Sequence, residues 1–429
     1  MLIVENTVNP ISLDDWLRYL ECLHPKAIDM ALTRVREISE AAGLIPTFPL
    51  IIVGGTNGKG STCAMLESIL SCAGYRTGCY TSPHLLRYNE RVRIEREEVT
   101  DEALCKAFAA IESARVHCGI SLTYFEFGTL AAMQLFIEAS VDVAILEVGL
   151  GGRLDAVNVF DADCAILTSI DLDHMDYLGE TREAIGLEKI GIFRKDQFAV
   201  CGERDLPERV REQIEIIGAK FFHIGIHFDY TADRLQWSCK GLKGQYYSLP
   251  HPALRGAYQL NNASICLAAL DTLRERLPVT SNDVRRGLLE VSLPGRFQVL
   301  AGRPVTILDV AHNPAAAHVL ADNLGALGVH QYTYAVIGML KDKDIVAVGQ
   351  AMSEHIDEWL VASTHTGRGA SAAEIVQTFI HSGIAKEGTI HSFPDAVAAY
   401  RYARERASEN DRICVFGSFY TVGAVLAVL

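Results

Sequence analysis

A chain of 429 residues, 49% hydrophobic and 21% charged, is long enough for a large core and for two or three domains. Lys and Arg total 39 against 53 Asp and Glu, and the formal charge of -14 excludes nucleic acid and anionic membrane as general partners, leaving any polyanion to a local site. The 11 cysteines form no CxxC pair, the amino terminus shows no basic-then-apolar leader, and no apolar run is long enough to span a bilayer, so reduced thiols and a cytoplasmic location are expected.

In chain order, Pro49 to about Val200 repeats short apolar runs ending in Gly, Ser or an acidic residue, each followed by a segment of helical period. "LIIVGG", "TGCYTS", "VDVAILEVG", "DCAILTSI" and "FAVCG" read as buried strands of a mainly parallel sheet. Between them, "STCAMLESILSCAG" sets Met65, Leu66, Ile69, Leu70 and Ala73 on one helical face and stops at Gly74; Thr123 to Ala139 reads as a second apolar helix. Phe221 to Pro250 alternates and is rich in aromatics, which predicts short antiparallel strands, with helix returning near Asn262. A second α/β series opens near Val305, with "VTILDVAHNP", "YTYAVIGML", "EWLVAS" and "RICVFGSF" as strands. The turn "LPGRF" precedes it and predicts two α/β domains, 1–295 and 296–429. The first holds a phosphate-loop sheet with a small antiparallel addition, and the second is smaller and Rossmann-like.

The stretch "GGTNGKGST" joins the first strand to its helix. Its glycines let backbone N–H groups face a phosphate, the helix start adds positive potential, Lys59 adds a point charge, and Thr56 and Asn57 add polar donors. Gly60 separates Lys59 from Ser61 and so breaks the strict pattern G-x-x-x-x-G-K-[ST], yet it removes no group that phosphate needs. Ser82, Glu147 and His174 each follow a predicted strand, where ligands of such sheets gather; singly they also read as a turn residue, a partner of Arg153 and a loop cap. Asp309, His312 and Asn313 repeat that placement in the second series. Arg296 either reaches a phosphate across the cleft or ties the linker down.

Taken together, "GTNGKGS", "TSPHL", "ERVRI", "LTYFE", "EVGLGGRLDAVN", "TSIDLDHMDYLG", "EKIGIFR", "LPGRF", "DVAHNP", "GMLKDKDI" and "VFGSFYTV" run in one order and resemble the folylpolyglutamate synthase family, within the Mur ligase group. "LHPKAIDMALTRV" and "LTYFEFGTL" are similar to its bacterial bifunctional form. That resemblance implies an ATP-dependent ligase. It would join L-glutamate to 7,8-dihydropteroate and to the tails of reduced folates through an acyl phosphate, acting as a monomer with no nucleic acid or membrane partner.

By matching position the resemblance implies ATP contacts at Thr56, Asn57, Gly58, Lys59, Gly60, Ser61, Asn262, Arg296 and Asp309, and Mg²⁺ ligation, over two sites, by Ser82, Glu147 and His174. It implies a carbamate on Lys189, which as a cation could not ligate the metal, and a role at phosphate or glutamate for His312. Dihydropteroate would meet Asp29, Met30, Ala31, Thr123, Tyr124, Phe125, Glu126, Leu154, Asp155 and Ala156. The competing readings are a monofunctional folylpolyglutamate synthase and a phosphate-loop NTPase switch that forms no amide.

Overall fold

The computed structural model describes residues 10–429 apart from Ala27, Met30, Ala257 and Val329. Eight strands build the first sheet: β1 (Leu50–Gly54), β2 (Thr77–Tyr80), β3 (Val92–Ile94), β4 (Glu97–Glu98), β5 (Val143–Glu147), β6 (Cys164–Leu167), β7 (Phe198–Cys201) and β8 (Lys220–His223), in the order β4-β3-β2-β5-β1-β6-β7-β8. All neighbours from β2 to β8 are parallel, and only the pairings β2–β3 and β3–β4 are antiparallel. The near-continuous apolar runs predicted this, because a parallel sheet is covered on both faces. In β1, Leu50 and Ile52 enter one core while Ile51 and Val53 enter the other.

Helices α1 (Leu13–Leu23), α2 (Leu32–Ala41), α3 (Lys59–Cys72), α4 (Asp101–Cys118) and α5 (Tyr124–Glu138) divide between the faces. The first core gathers α1, α2, α4 and α5; the second gathers α3 with the helices Tyr258–Thr272 and Ser281–Glu290. Reciprocal side-chain caps start α1 at Ser12 with Asp15 and α5 at Thr123 with Glu126.

Three expectations change. Every residue of α3 from Ser61 to Leu70 is buried rather than one face, because Ser281–Glu290 covers its outer side; a Cβ on Gly287 would stand 2.5 Å from Ile69 Cα. Phe221 to His223 belongs to β8, a parallel edge strand. The antiparallel trio is β9 (Asp229–Ala232), β10 (Trp237–Lys240) and β11 (Gln245–Leu249), and the alternating pattern runs through Gly225 without marking where one sheet ends. Helix returns at Tyr258, one turn before Asn262.

The second α/β series forms a six-stranded sheet of β12 (Gln298–Leu300), β13 (Val305–Leu308), β14 (Thr333–Ile337), β15 (Glu358–Ala362), β16 (Ile390–Phe393) and β17 (Arg412–Phe416), ordered β12-β13-β17-β14-β15-β16, with β12 alone antiparallel. Both α/β regions thus turn the carboxyl ends of parallel strands toward loops that can carry chemistry.

Ile52 is fully buried at the middle of the large sheet. Ile52→Ala is expected to lower stability by about 2–5 kcal/mol, read as a lower urea midpoint at unchanged slope. A loss below about 1 kcal/mol would contradict this packing.

Candidate active site

The loop after β1 is fastened to the segment after β6. Thr56 N donates to Ser169 O at 2.9 Å, Thr56 Oγ1 donates to Asp171 O at 3.2 Å, and Asn57 N donates to Ser169 Oγ at 3.0 Å. Gly58 takes the left-handed conformation, φ +85°, as the residue that opens α3, and a Cβ there would lie 2.6 Å from Asn262 Oδ1. Gly60 differs. A Cβ would meet Arg296 Nη2 at 3.6 Å and Glu147 Oε2 at 3.8 Å, ordinary contact distances. The loop's extra glycine therefore faces the two charges that approach the helix start.

A cavity of about 750 Å³ opens between the two α/β regions. Thr56 to Ser61, Ser82, Glu147, His174, Lys189, Asn262, Arg296, Asp309 and His312 all line it. Each residue expected to meet ATP, to hold metal or to act in catalysis thus reaches one space, from the ends of β1, β2, β5, β6 and β13, from the helices Arg182–Lys189 and Tyr258–Thr272, and, for Arg296, from the turn before β12.

Its ionisable groups are taken out of water. Burial pushes the Glu147 carboxyl up against the pull of Lys59, and one of its oxygens, Oε2, accepts from Ser82 N at 3.1 Å. Burial pushes Asp309 up and Arg296 down, each opposing the other's shift by its charge. Asp309 is held by two backbone donors, Phe297 N at 2.7 Å and Ala311 N at 2.8 Å. The Arg296 guanidinium lies 5.0 Å from the centre of the Phe419 ring. Lys189, 4% exposed, is brought down to about 7 by burial and then by Lys59. Burial likewise lowers His174 to about 4, leaving a neutral imidazole at pH 7. Lys59 folds back, donating from Nζ to Gly55 O and Thr56 O, both at 3.0 Å.

Among the described residues no group of three His, Cys, Asp or Glu side chains can hold a metal by itself. A carboxylate at Glu147 and a hydroxyl at Ser82 nonetheless suit a hard divalent ion whose remaining positions go to phosphate oxygens and water, with the neutral imidazole of His174 a less usual ligand for it.

Two features escaped the sequence. Asp173 joins the regions: its carboxylate stands 2.5 Å from Lys343 Nζ, 3.3 Å from Asn313 Nδ2 and 3.7 Å from His312 Nε2. Burial pushes its carboxyl up, but His312, His174 and Lys343 outweigh that and hold it well below the usual range. Arg93 is the other, half-buried in a bidentate pair with the buried Glu67 and donating to Thr81 Oγ1 at 3.4 Å, next to Ser82. Both lie in motifs, "DLDHMDYLG" and "ERVRI", but their partners are set by tertiary structure.

The residues expected to meet dihydropteroate do not line the cavity; Met30 lies outside the described residues. Of the others, Phe125 and Asp155 touch residues that line it. Phe125 packs where a Cβ on cavity-lining Gly149 would stand, 2.6 Å from its Cζ. Asp155, pushed up to about 7 by burial, accepts from Leu150 N at 2.8 Å and Val157 N at 3.0 Å. The short helix Ala156–Val159 packs on both α2 and α5.

The two α/β regions around this phosphate-loop cavity are the parts of the chain that two Mur ligase family models match. Residues 53–270 match the Mur ligase middle domain and 295–419 the Mur ligase glutamate ligase domain. The dihydrofolate synthase/folylpolyglutamate synthase of Escherichia coli K12 is 43% identical over 430 residues, 100% of this chain and 98% of that one. Its namesake from Haemophilus influenzae is 42% identical over 97% of each. A solved structure of E. coli FolC in complex with DHPP and ADP has a TM-score of 0.92 at 43% identity over 98% of both chains. A bifunctional folylpolyglutamate synthase/dihydrofolate synthase with Mn, AMPPNP and L-glutamate bound has a TM-score of 0.89 at 43% identity over 98% of both chains. The chain belongs to the dihydrofolate synthase/folylpolyglutamate synthase family of the Mur ligases.

The loop geometry ranks its glycines. Gly58→Ala is expected to weaken ATP binding at least ~10-fold by calorimetry, since it combines a strained φ with a clash, whereas Gly60→Ala changes it less. The reverse order would contradict the loop as described.

Proposed function

We propose that this protein is an ATP-dependent, ADP-forming ligase that joins L-glutamate to 7,8-dihydropteroate and extends the glutamate tail of reduced folates. The observation that carries this reading is the convergence of the phosphate loop, Glu147, Arg296 and Asp309 on one cavity between two α/β regions. The names of its relatives support both activities.

A carboxylate acylates poorly. One of its oxygens attacks the γ-phosphorus of ATP, ADP leaves, and the acyl phosphate forms; the glutamate amine then attacks the carbonyl carbon, loses a proton and expels phosphate. Thr56 to Ser61 bind the phosphates through the loop and the start of α3, and Lys59 turns from Gly55 O and Thr56 O to the transferring group. Asn262 approaches from the helix beside Gly58, and Arg296 and Asp309 complete the ATP site from the second region. Ser82, Glu147 and His174 would hold Mg²⁺, which supplies charge neutralisation on the phosphates. Closure between the regions excludes water from the acyl phosphate. His312, beside Asp173, would meet phosphate or the incoming glutamate.

Finer assignments belong to the same reading. The chain divides at 295/296, works as a monomer in the cytoplasm and uses two Mg²⁺ sites. Lys189 carries a carbamate: its uncharged amine adds to carbon dioxide, a proton leaves, and the resulting anion suits a second cation. At pH 7 and above, the lowered pKa supplies that uncharged amine.

Lys59→Ala and Glu147→Gln are each expected to reduce glutamate-dependent ADP release at least ~100-fold while thermal unfolding stays cooperative. Activity retained in both would refute the assignment. With carbon-13-labelled carbon dioxide held at fixed concentration, a carbamate resonance should grow as pH rises through about 7 and vanish in Lys189→Ala. A spectrum unchanged by the substitution would remove the carbamate from the account.

A further inference from the structure

We propose that Arg34 is a positioning residue for dihydropteroate, clamping the segment that carries Asp29 onto the start of α5. The inference rests on the ligase reading above and on residues expected there to meet dihydropteroate.

Arg34 stands in the first turn of α2, and its guanidinium spans two carboxylates. Nη1 donates to Asp29 Oδ2 at 2.6 Å, and Nη2 donates to Glu126 Oε1 at 2.7 Å and to Asp29 O at 3.3 Å. Glu126 is 92 residues away in sequence, so this contact fixes tertiary rather than local structure. Nε is buried without a hydrogen-bond partner, which leaves the two carboxylates and the Asp29 carbonyl to set the guanidinium's place.

Both carboxylates are held from their far sides. Glu126 Oε2 accepts from Thr123 N at 2.7 Å as part of the helix cap, so Glu126 cannot swing without opening the first turn of α5. Asp29 lies 3.6 Å from His24 Nε2 and 3.7 Å from Lys26 Nζ. Arg34 is thereby the tie between a loop and a rigid helix start, and Asp29 and Thr123 to Glu126 form one surface because of it. Without Arg34, the half-buried Asp29 and the buried Glu126 would lose the cation they share, and Glu126 would keep only its backbone donor. A lysine supplies the charge but not a planar fork that reaches both partners. Arg34 does not line the ATP cavity, so its effect falls on the pteroate side alone.

The test is steady-state ADP release by the full chain, with dihydropteroate, ATP and glutamate varied in turn, for the parent, Arg34→Gln and Arg34→Lys. The KM for dihydropteroate is expected to rise at least ~10-fold in Arg34→Gln and by less in Arg34→Lys, with the KM for ATP and kcat within about twofold of the parent. A dihydropteroate KM within about twofold of the parent in both variants, or an equal rise in the ATP KM, overturns the proposal. If Arg34→Gln fails to fold, the Arg34→Lys split between the two KM values decides. A parent that shows no dihydropteroate-dependent ADP release refutes the ligase reading itself, a result distinct from a normal parent with unaltered variants.

Discussion

Ionisable groups held out of water against one another are the constraint on which this structure turns. Glu147 and Lys189 are buried and Arg296 and Asp309 half-buried, and in each the largest influence on protonation is loss of hydration. The protein partly compensates them with Lys59, Ser82 N and the donors to Asp309, but the balance favours a ligand bearing both anionic oxygens and cations. ATP with a divalent ion is such a ligand. The fold keeps the cluster in place because Glu147 ends β5, Asp309 follows β13, Lys189 ends a helix packed in the first core, and Arg296 stands in the turn before β12.

Asp173 extends that logic between the two regions. It comes from the loop after β6 and pairs with Lys343, 6% exposed, and with His312 and Asn313 from the second sheet's loops. Asn313 also exchanges amide hydrogen bonds with Asn57 of the phosphate loop, at 3.1 and 3.3 Å. Asn57 of the nucleotide loop, Asp173, and Asn313 and Lys343 of the second region are therefore one hydrogen-bonded assembly, and disturbance at any of them reaches the others.

Much of this was legible in the sequence because it is local. Apolar runs of strand length, glycines before a helix and acidic residues at strand ends state a parallel sheet with a phosphate loop, and Glu147 and Asp309 stand where that pattern puts them. What stayed hidden depends on partners far along the chain. Lys189 ends a helix whose sequence, "REAIGLEK", looks solvated, and only packing buries it. Arg34 reads as an ordinary helix arginine until Glu126 meets it. Periodicity assigned α3 one buried face because the helix Ser281–Glu290, which covers the other, lies more than 200 residues later. Alternation in Phe221 to Tyr230 marks strand but not the partner, so β8 was expected antiparallel and pairs parallel with β7.

The central claim is that the cavity activates a carboxylate as an acyl phosphate before glutamate attacks. The most direct measurement supplies dihydropteroate with its carboxylate labelled by oxygen-18, together with ATP, Mg²⁺ and L-glutamate, and analyses the inorganic phosphate by mass spectrometry. Activation through phosphate predicts one labelled oxygen in each phosphate released. Phosphate free of label, formed at the rate of product, would contradict the account.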